Sequence, residues 1–127
     1  GIIAAKIGVS AMHDITEGGL LGACSEIAEA SDVGVEIHQD LLPILPETRD
    51  ICQAFGINPL GLISSGSMLI CTPKGNEVVN ALKSHNIPAT IIGKITSSGK
   101  YIITSGSKKP LVPLERDELI RVIEKFK

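Results

Sequence analysis

At 127 residues the chain suits a single domain with a sizeable core. Its 12 basic and 14 acidic residues are spread along the sequence for a net charge of −2, and the only aromatics are Phe55, Tyr101 and Phe126. That excludes the basic stripe and stacking platforms of a nucleic-acid binder. Hydrophobic residues make up 43% of the chain, but Gly, Ser, Lys or Glu breaks every apolar run before the ~18 residues of a membrane helix; the excess suggests a surface that another domain or subunit covers.

The opening "GIIAAKIGV" has no initiator Met and no signal-peptide pattern, and reads as the end of a helix from a longer protein. Residues 12–20, "MHDITEGGL", read as a tight turn carrying two carboxylates and a glycine pair. Leu20, Ala23, Cys24, Ile27 and Ala28 then recur at helical spacing, which predicts an amphipathic helix over 18–31. Val33, Val35 and Ile37 alternate with Gly34, Glu36 and His38, the pattern of a half-buried strand. Pro46 suits the first turn of a helix running from Glu47 to Phe55 and closed by Gly56.

The continuous apolar run at 67–72, "SMLICT", predicts a central strand covered on both faces. Val78, Val79 and Leu82 mark a helix over 75–85. Residues 89–96 and 100–105 read as two strands joined in a hairpin at Ser97-Ser98-Gly99, and Lys108-Lys109 as a solvated loop. Leu119, Ile120, Ile123 and Phe126 give a last helical face. The sum predicts one domain over 1–127, an α/β (α+β) sandwich with a mixed β-sheet packed against helices.

Cys24, Cys52 and Cys71 are odd in number, lack a C-x-x-C pair and sit in apolar contexts. They read as buried, reduced thiols, which places the protein in the cytoplasm. His13, His38 and His85 have no metal-ligand spacing, so no structural zinc is expected.

The 12–20 turn has two readings. In one, Asp14 or Thr16 caps the helix entered at Gly18, for about 0.5–2 kcal/mol, and Glu17 gains from the helix dipole. Capping alone does not explain Gly18-Gly19, since a glycine costs up to ~1 kcal/mol in a helix relative to alanine. The pair makes sense where the backbone needs positive φ or a ligand comes close. A helix N-terminus opened by glycines suits an anion, and a phosphorylated ligand with Mg²⁺ nearby would reconcile that with Asp14 and Glu17. No G-x-x-x-x-G-K-[ST] occurs, so a nucleotide would not be held in the Walker manner. Ser64-Ser65-Gly66-Ser67 is either a strand-entry turn or a hydroxyl-lined wall of the same pocket.

Three stretches, "AMHDITEGGLLGACSEIAEASDVGVEI", "LPETRDICQAFGINPLGLISSGSMLICTP" and "IPATIIGKI", resemble the C-terminal domain of aminoimidazole-ribonucleotide synthetase-related proteins. The similarity covers about residues 1–105, most specifically Asp14-x-Thr16-x-Gly18-Gly19-Leu20 and Ile63-Ser64-Ser65-Gly66, and is nearest to the hydrogenase-maturation branch. It implies a homodimeric, two-domain enzyme whose N-terminal ATP-binding domain lies outside this chain. It also implies ATP- and Mg²⁺-dependent activation of an amide- or thioamide-like oxygen on a small or protein-borne substrate, or direct phosphoryl transfer. This domain alone is then expected to be inactive, with no tightly held cofactor.

In that reading Asp14 is catalytic and holds the cation or a substrate donor. His13, Thr16, Glu17, Gly18, Gly19, Ser64, Ser65 and Gly66 form the substrate and phosphate side, with Glu17 peripheral. The hydrogenase-maturation enzyme works on a C-terminal cysteine, whereas no cysteine follows Cys71 here, so that chemistry is not expected if Lys127 ends the protein. The rival expectation is a free-standing ligand-binding or interaction module that kept the fold without the chemistry.

Overall fold

The computed structural model describes all 127 residues, Gly1–Lys127. Its elements run α1 (Ile2–Ile7), β1 (Ala11–Asp14), α2 (Gly19–Ala30), β2 (Gly34–His38), α3 (Pro46–Phe55), β3 (Met68–Cys71), α4 (Gly75–Ser84), β4 (Gly93–Thr96), β5 (Lys100–Thr104), β6 (Ser107–Pro110) and α5 (Glu118–Lys125). Single 3₁₀ turns lie at Gln39–Leu41 and Pro59–Gly61. This is the expected mixed α/β architecture, with its strands divided between two sheets. The larger has the order β4-β2-β5-β6, and β1 pairs antiparallel with β3 in a separate ribbon.

The apolar stripe of α2 packs Leu21, Cys24 and Ala28 against Val35 and Ile37 of β2, with Leu42, Leu60 and Leu111 closing the main core. A smaller core joins Ala4 of α1 to Val78 and Leu82 of α4. Pro46 at the start of α3 and Gly56 just past its end, at φ +63°, bound that helix as their backbone preferences dictate.

Four local expectations are corrected. Residues 11–14 form a strand, so the chain turns only after Asp14. The strand at 33–38 and the run at 67–72 exchange roles: β2 is central and buried through Ile37, while β3 is half-buried in the two-stranded ribbon with Met68 exposed. The alternation in β2 misleads because Glu36 is also covered. Its carboxylate lies 3.2 Å from Lys94 Nζ and 2.8 Å from Lys108 Nζ, so its charge is paired where the side chain is covered.

The third correction concerns the hairpin. β4 and β5 do not pair; β2 lies between them, antiparallel to β4 and parallel to β5. The connection passes over Gly34, where a Cβ would overlap Thr96 Oγ1 and the Ser98 carbonyl. Fourth, Lys108 and Lys109 belong to the edge strand β6, which follows β5 through Ser105-Gly106, both at positive φ as a two-residue I′-type hairpin requires. Lysines on an exposed edge also discourage pairing with other chains.

Candidate functional site

Asp14 ends β1 opposite Met68, and the next residue is bonded in both directions to the serine cluster. Ile15 donates its N–H to the Ser67 carbonyl (3.0 Å) and accepts from Ser64 N–H (3.2 Å). The structure thereby places Asp14 and Thr16 beside Ser64, Ser65 and Gly66, 50 residues later in sequence, and all five are exposed. Ser64 and Ser67 share a hydroxyl–hydroxyl hydrogen bond of 2.8 Å, whereas the Asp14, Thr16 and Ser65 side chains stand outside the protein's own hydrogen-bond network. Ser67 N–H donates to the Ser64 carbonyl (2.9 Å), closing the strand-entry turn.

The glycines have a structural role in the same place. Gly18 (φ +80°) and Gly19 (φ +61°) lead into α2, and Gly19 lies against the backbone of Leu60 and Leu62. No side chain caps α2 through the helix-capping residue, which is Gly18 itself, so the expectation that Asp14 or Thr16 caps this helix is corrected. Thr16 takes part only through its carbonyl, which accepts from Gly19 N–H at 3.0 Å. The carboxylate at this helix start comes from the far end of the chain: Asp117 Oδ2 accepts from Gly18 N–H at 2.9 Å.

His13 is engaged within the domain. Its Nε2 lies 2.7 Å from Glu26 Oε2 and its Nδ1 2.6 Å from the Asp14 carbonyl. The ring ties β1 to α2 immediately before Asp14. Glu17 is exposed and, with Gly18, Ser25, Glu26 and Glu29, lines one side of an open cavity of about 460 Å³ facing residues 113–117. Glu29 is held below the usual carboxylate range, chiefly by the hydrogen bond it accepts from Lys100 and then by that from Ser25.

No three His, Cys, Asp or Glu side chains converge into a cage of protein ligands. Mg²⁺ does not require one, because it commonly takes one or two carboxylates and keeps water and ligand phosphates for the rest. The free Asp14 carboxylate fits that chemistry, and the Thr16 and Ser65 hydroxyls fit donors to phosphate or substrate oxygens.

Residues 2–106 match the family described as AIR synthase related protein, C-terminal domain. The chain belongs to this family. It is 35% identical over 101 residues to a protein of Methanocaldococcus jannaschii named for hydrogenase expression and formation, covering 76% of this chain and 30% of that protein. It is 32% identical over 92 residues to the carbamoyl dehydratase HypE of Escherichia coli, covering 69% of this chain and 27% of the enzyme. A crystal structure of E. coli HypE superposes with a TM-score of 0.81 at 30% identity, over 91% of this chain and 38% of that one. A selenide, water dikinase of Methanococcus maripaludis is 34% identical over 95 residues, 71% of this chain and 28% of its own length. The chain thus spans about three-tenths of the length of these curated relatives.

The Asp14–Gly19 turn and the Ser64–Gly66 cluster both lie inside the AIR synthase related match; Asp117 and its neighbour Glu118 lie outside it. Neither belongs to a motif that stands out in the sequence. The available signal was local: an aspartate immediately before an apolar helical pattern is a helix-capping residue, and Asp117 caps α5 by accepting from Leu119 N–H at 2.8 Å.

Proposed function

We propose that this chain is the substrate- and phosphate-side domain of an ATP-dependent enzyme related to hydrogenase maturation. The observation that carries the reading is the two-way bonding of Ile15, which sets the uncommitted side chains of Asp14 and Thr16 beside the serine turn. Asp14 holds Mg²⁺ or a substrate donor, Thr16 donates to a phosphate or substrate oxygen, and Ser64, Ser65 and Gly66 form the facing wall. His13 fixes the end of β1 through Glu26, Gly18 and Gly19 shape the turn, and Glu17 stays peripheral. Bound ATP would supply the phosphoryl group that activates an amide-like oxygen, in keeping with the relatives' names of carbamoyl dehydratase and dikinase.

The reading includes a separate N-terminal ATP-binding domain in the same polypeptide, a homodimer, a cytoplasmic site of action and a small or protein-borne substrate. No helix here is long and apolar enough to cross a membrane. Antibody capture of the protein from its source cells is expected to give an intact mass well over twice 13.4 kDa. In that protein, Asp14→Asn is expected to abolish ATP consumption with the melting midpoint unchanged; full ATP consumption would remove Asp14 from the chemistry.

The rival reading is a binding module that kept the fold without the catalysis. A native mass near 13.4 kDa, with no ATP consumption, would select that reading.

A further inference from the structure

Asp117 and Glu118 are adjacent, 3% and 2% exposed, and each accepts a hydrogen bond from the backbone of a different remote segment. Buried carboxylates are costly unless their oxygens are satisfied, and no buried side-chain oxygen or nitrogen here lacks a partner. Asp117 Oδ1 accepts from Leu119 N–H, and Oδ2 accepts from Gly18 N–H (2.9 Å). Glu118 Oε1 accepts from Asn58 N–H (3.2 Å), and Oε2 accepts from Arg121 (2.8 Å). Capping α5 uses one oxygen of Asp117. The second oxygen, and the whole of Glu118's reach to Asn58, serve segments about 100 and 60 positions away in sequence.

Those segments are the two walls of the candidate site. Gly18 opens the turn that follows Asp14 and Thr16. Asn58 caps the Pro59–Gly61 turn, accepting from Leu60 N–H at 3.0 Å, and that turn leads directly into Ile63–Gly66. The walls touch where Gly19 meets the Leu60 and Leu62 backbone. The segment before α5 closes on the same point, since Leu114 fills the space beside Gly61.

We propose that Asp117 and Glu118 are positioning residues, a two-carboxylate brace that sets the Asp14–Gly19 turn against the Asn58–Gly66 wall. Each carboxylate is needed as such, because both of its oxygens accept at once. An amide offers one accepting oxygen and an NH₂ that would face another donor. The brace acts on Asp14 and Thr16 through the backbone and touches no reacting atom. Its effect on turnover rests on the ATP-dependent reading above, while its hold on the walls does not.

The test compares D117N, E118Q and, as a control on the exposed Arg116–Glu124 pair, E124Q, each in the protein as its source cells make it. Hydrogen exchange read by mass spectrometry is expected to speed up about tenfold around residues 15–22 in D117N and around 57–62 in E118Q, with E124Q unchanged. The melting midpoint is expected to fall in both, because each amide leaves a buried donor unpaired. ATP turnover, assayed well below every midpoint where the variants are fully folded, is still expected to fall about tenfold or more in the first two, as a displaced wall costs rate in the folded protein. Unchanged exchange at both walls overturns the brace, as does faster exchange with full turnover. If D117N does not fold, E118Q decides the question from the other wall; if neither folds while E124Q does, the contacts hold the whole domain and the proposal is wrong. If the unsubstituted protein consumes no ATP, the ATP-dependent reading fails and exchange alone decides the brace.

Discussion

Gly19 sits beneath the Leu60 carbonyl so closely that a Cβ at Gly19 would lie 2.5 Å from that oxygen and 2.8 Å from Leu62 N. Both neighbours are backbone, so neither can rotate away. Gly19 also holds φ at +61°, where an L side chain is strained. Gly19→Ala is therefore expected to destabilise the protein by about 3 kcal/mol, combining strain with steric overlap. Gly18→Ala meets only the Gly22 Cα at 3.6 Å, and its cost is limited to the positive φ, ~1 kcal/mol. Urea unfolding of the two variants measures the difference; equal midpoints would show that the close approach at Gly19 does not matter.

Glu36 gives a pH dependence whose sign follows from its partners. Hydrogen bonds from Lys108 and then Lys94 hold its carboxyl below the ordinary value of 4.5, against the opposing effect of desolvation. A carboxyl lowered in the folded state adds stability above its unfolded value, and that contribution disappears as the pH falls through the folded value. Glu36→Gln should accordingly melt below the native protein at pH 7, with the gap closing as the pH drops below about 4.5. Melting curves from pH 7 to pH 3 provide the check, and a gap that widens in acid contradicts it. Lys108 also lies 4.2 Å from the Tyr101 ring centroid, so Lys108→Met should lower the pH 7 midpoint as well.

What was legible in the sequence was local. The apolar spacing of α2, the Pro46 and Gly56 ends of α3, and the glycine pair at 18–19 each act within a few residues of the structure they specify. The misread features depend on partners distant in sequence. β2 reads as half-buried because nothing near Glu36 announces that Lys94 and Lys108 will pair with its carboxylate. Ser97-Ser98-Gly99 looked like a hairpin because the intruding strand lies some 60 residues earlier. The candidate site follows the same division: the Asp14–Gly19 motif could be read directly, while its pairing with Ser64 and Ser67 and its brace from Asp117 are tertiary.

The three thiols should differ in reactivity in an order set by burial. All are free; Cys24 and Cys52 are buried and Cys71, at the end of β3, is half-buried. Burial, with a smaller contribution from nearby Cys71, pushes the Cys24 thiol up to about 12. Burial and the Glu118 charge raise Cys52, and burial raises Cys71. Because alkylation needs an accessible thiolate, iodoacetamide at pH 8 should modify Cys71 first in the native protein and leave Cys24 untouched until the domain unfolds. Cys52 packs on the inner side of α3, so its labelling should require opening of that helix. Peptide mapping after timed alkylation, with and without urea, gives the order. Cys24 labelling as fast in buffer as in urea would mean that the core between α2 and β2 is open in solution.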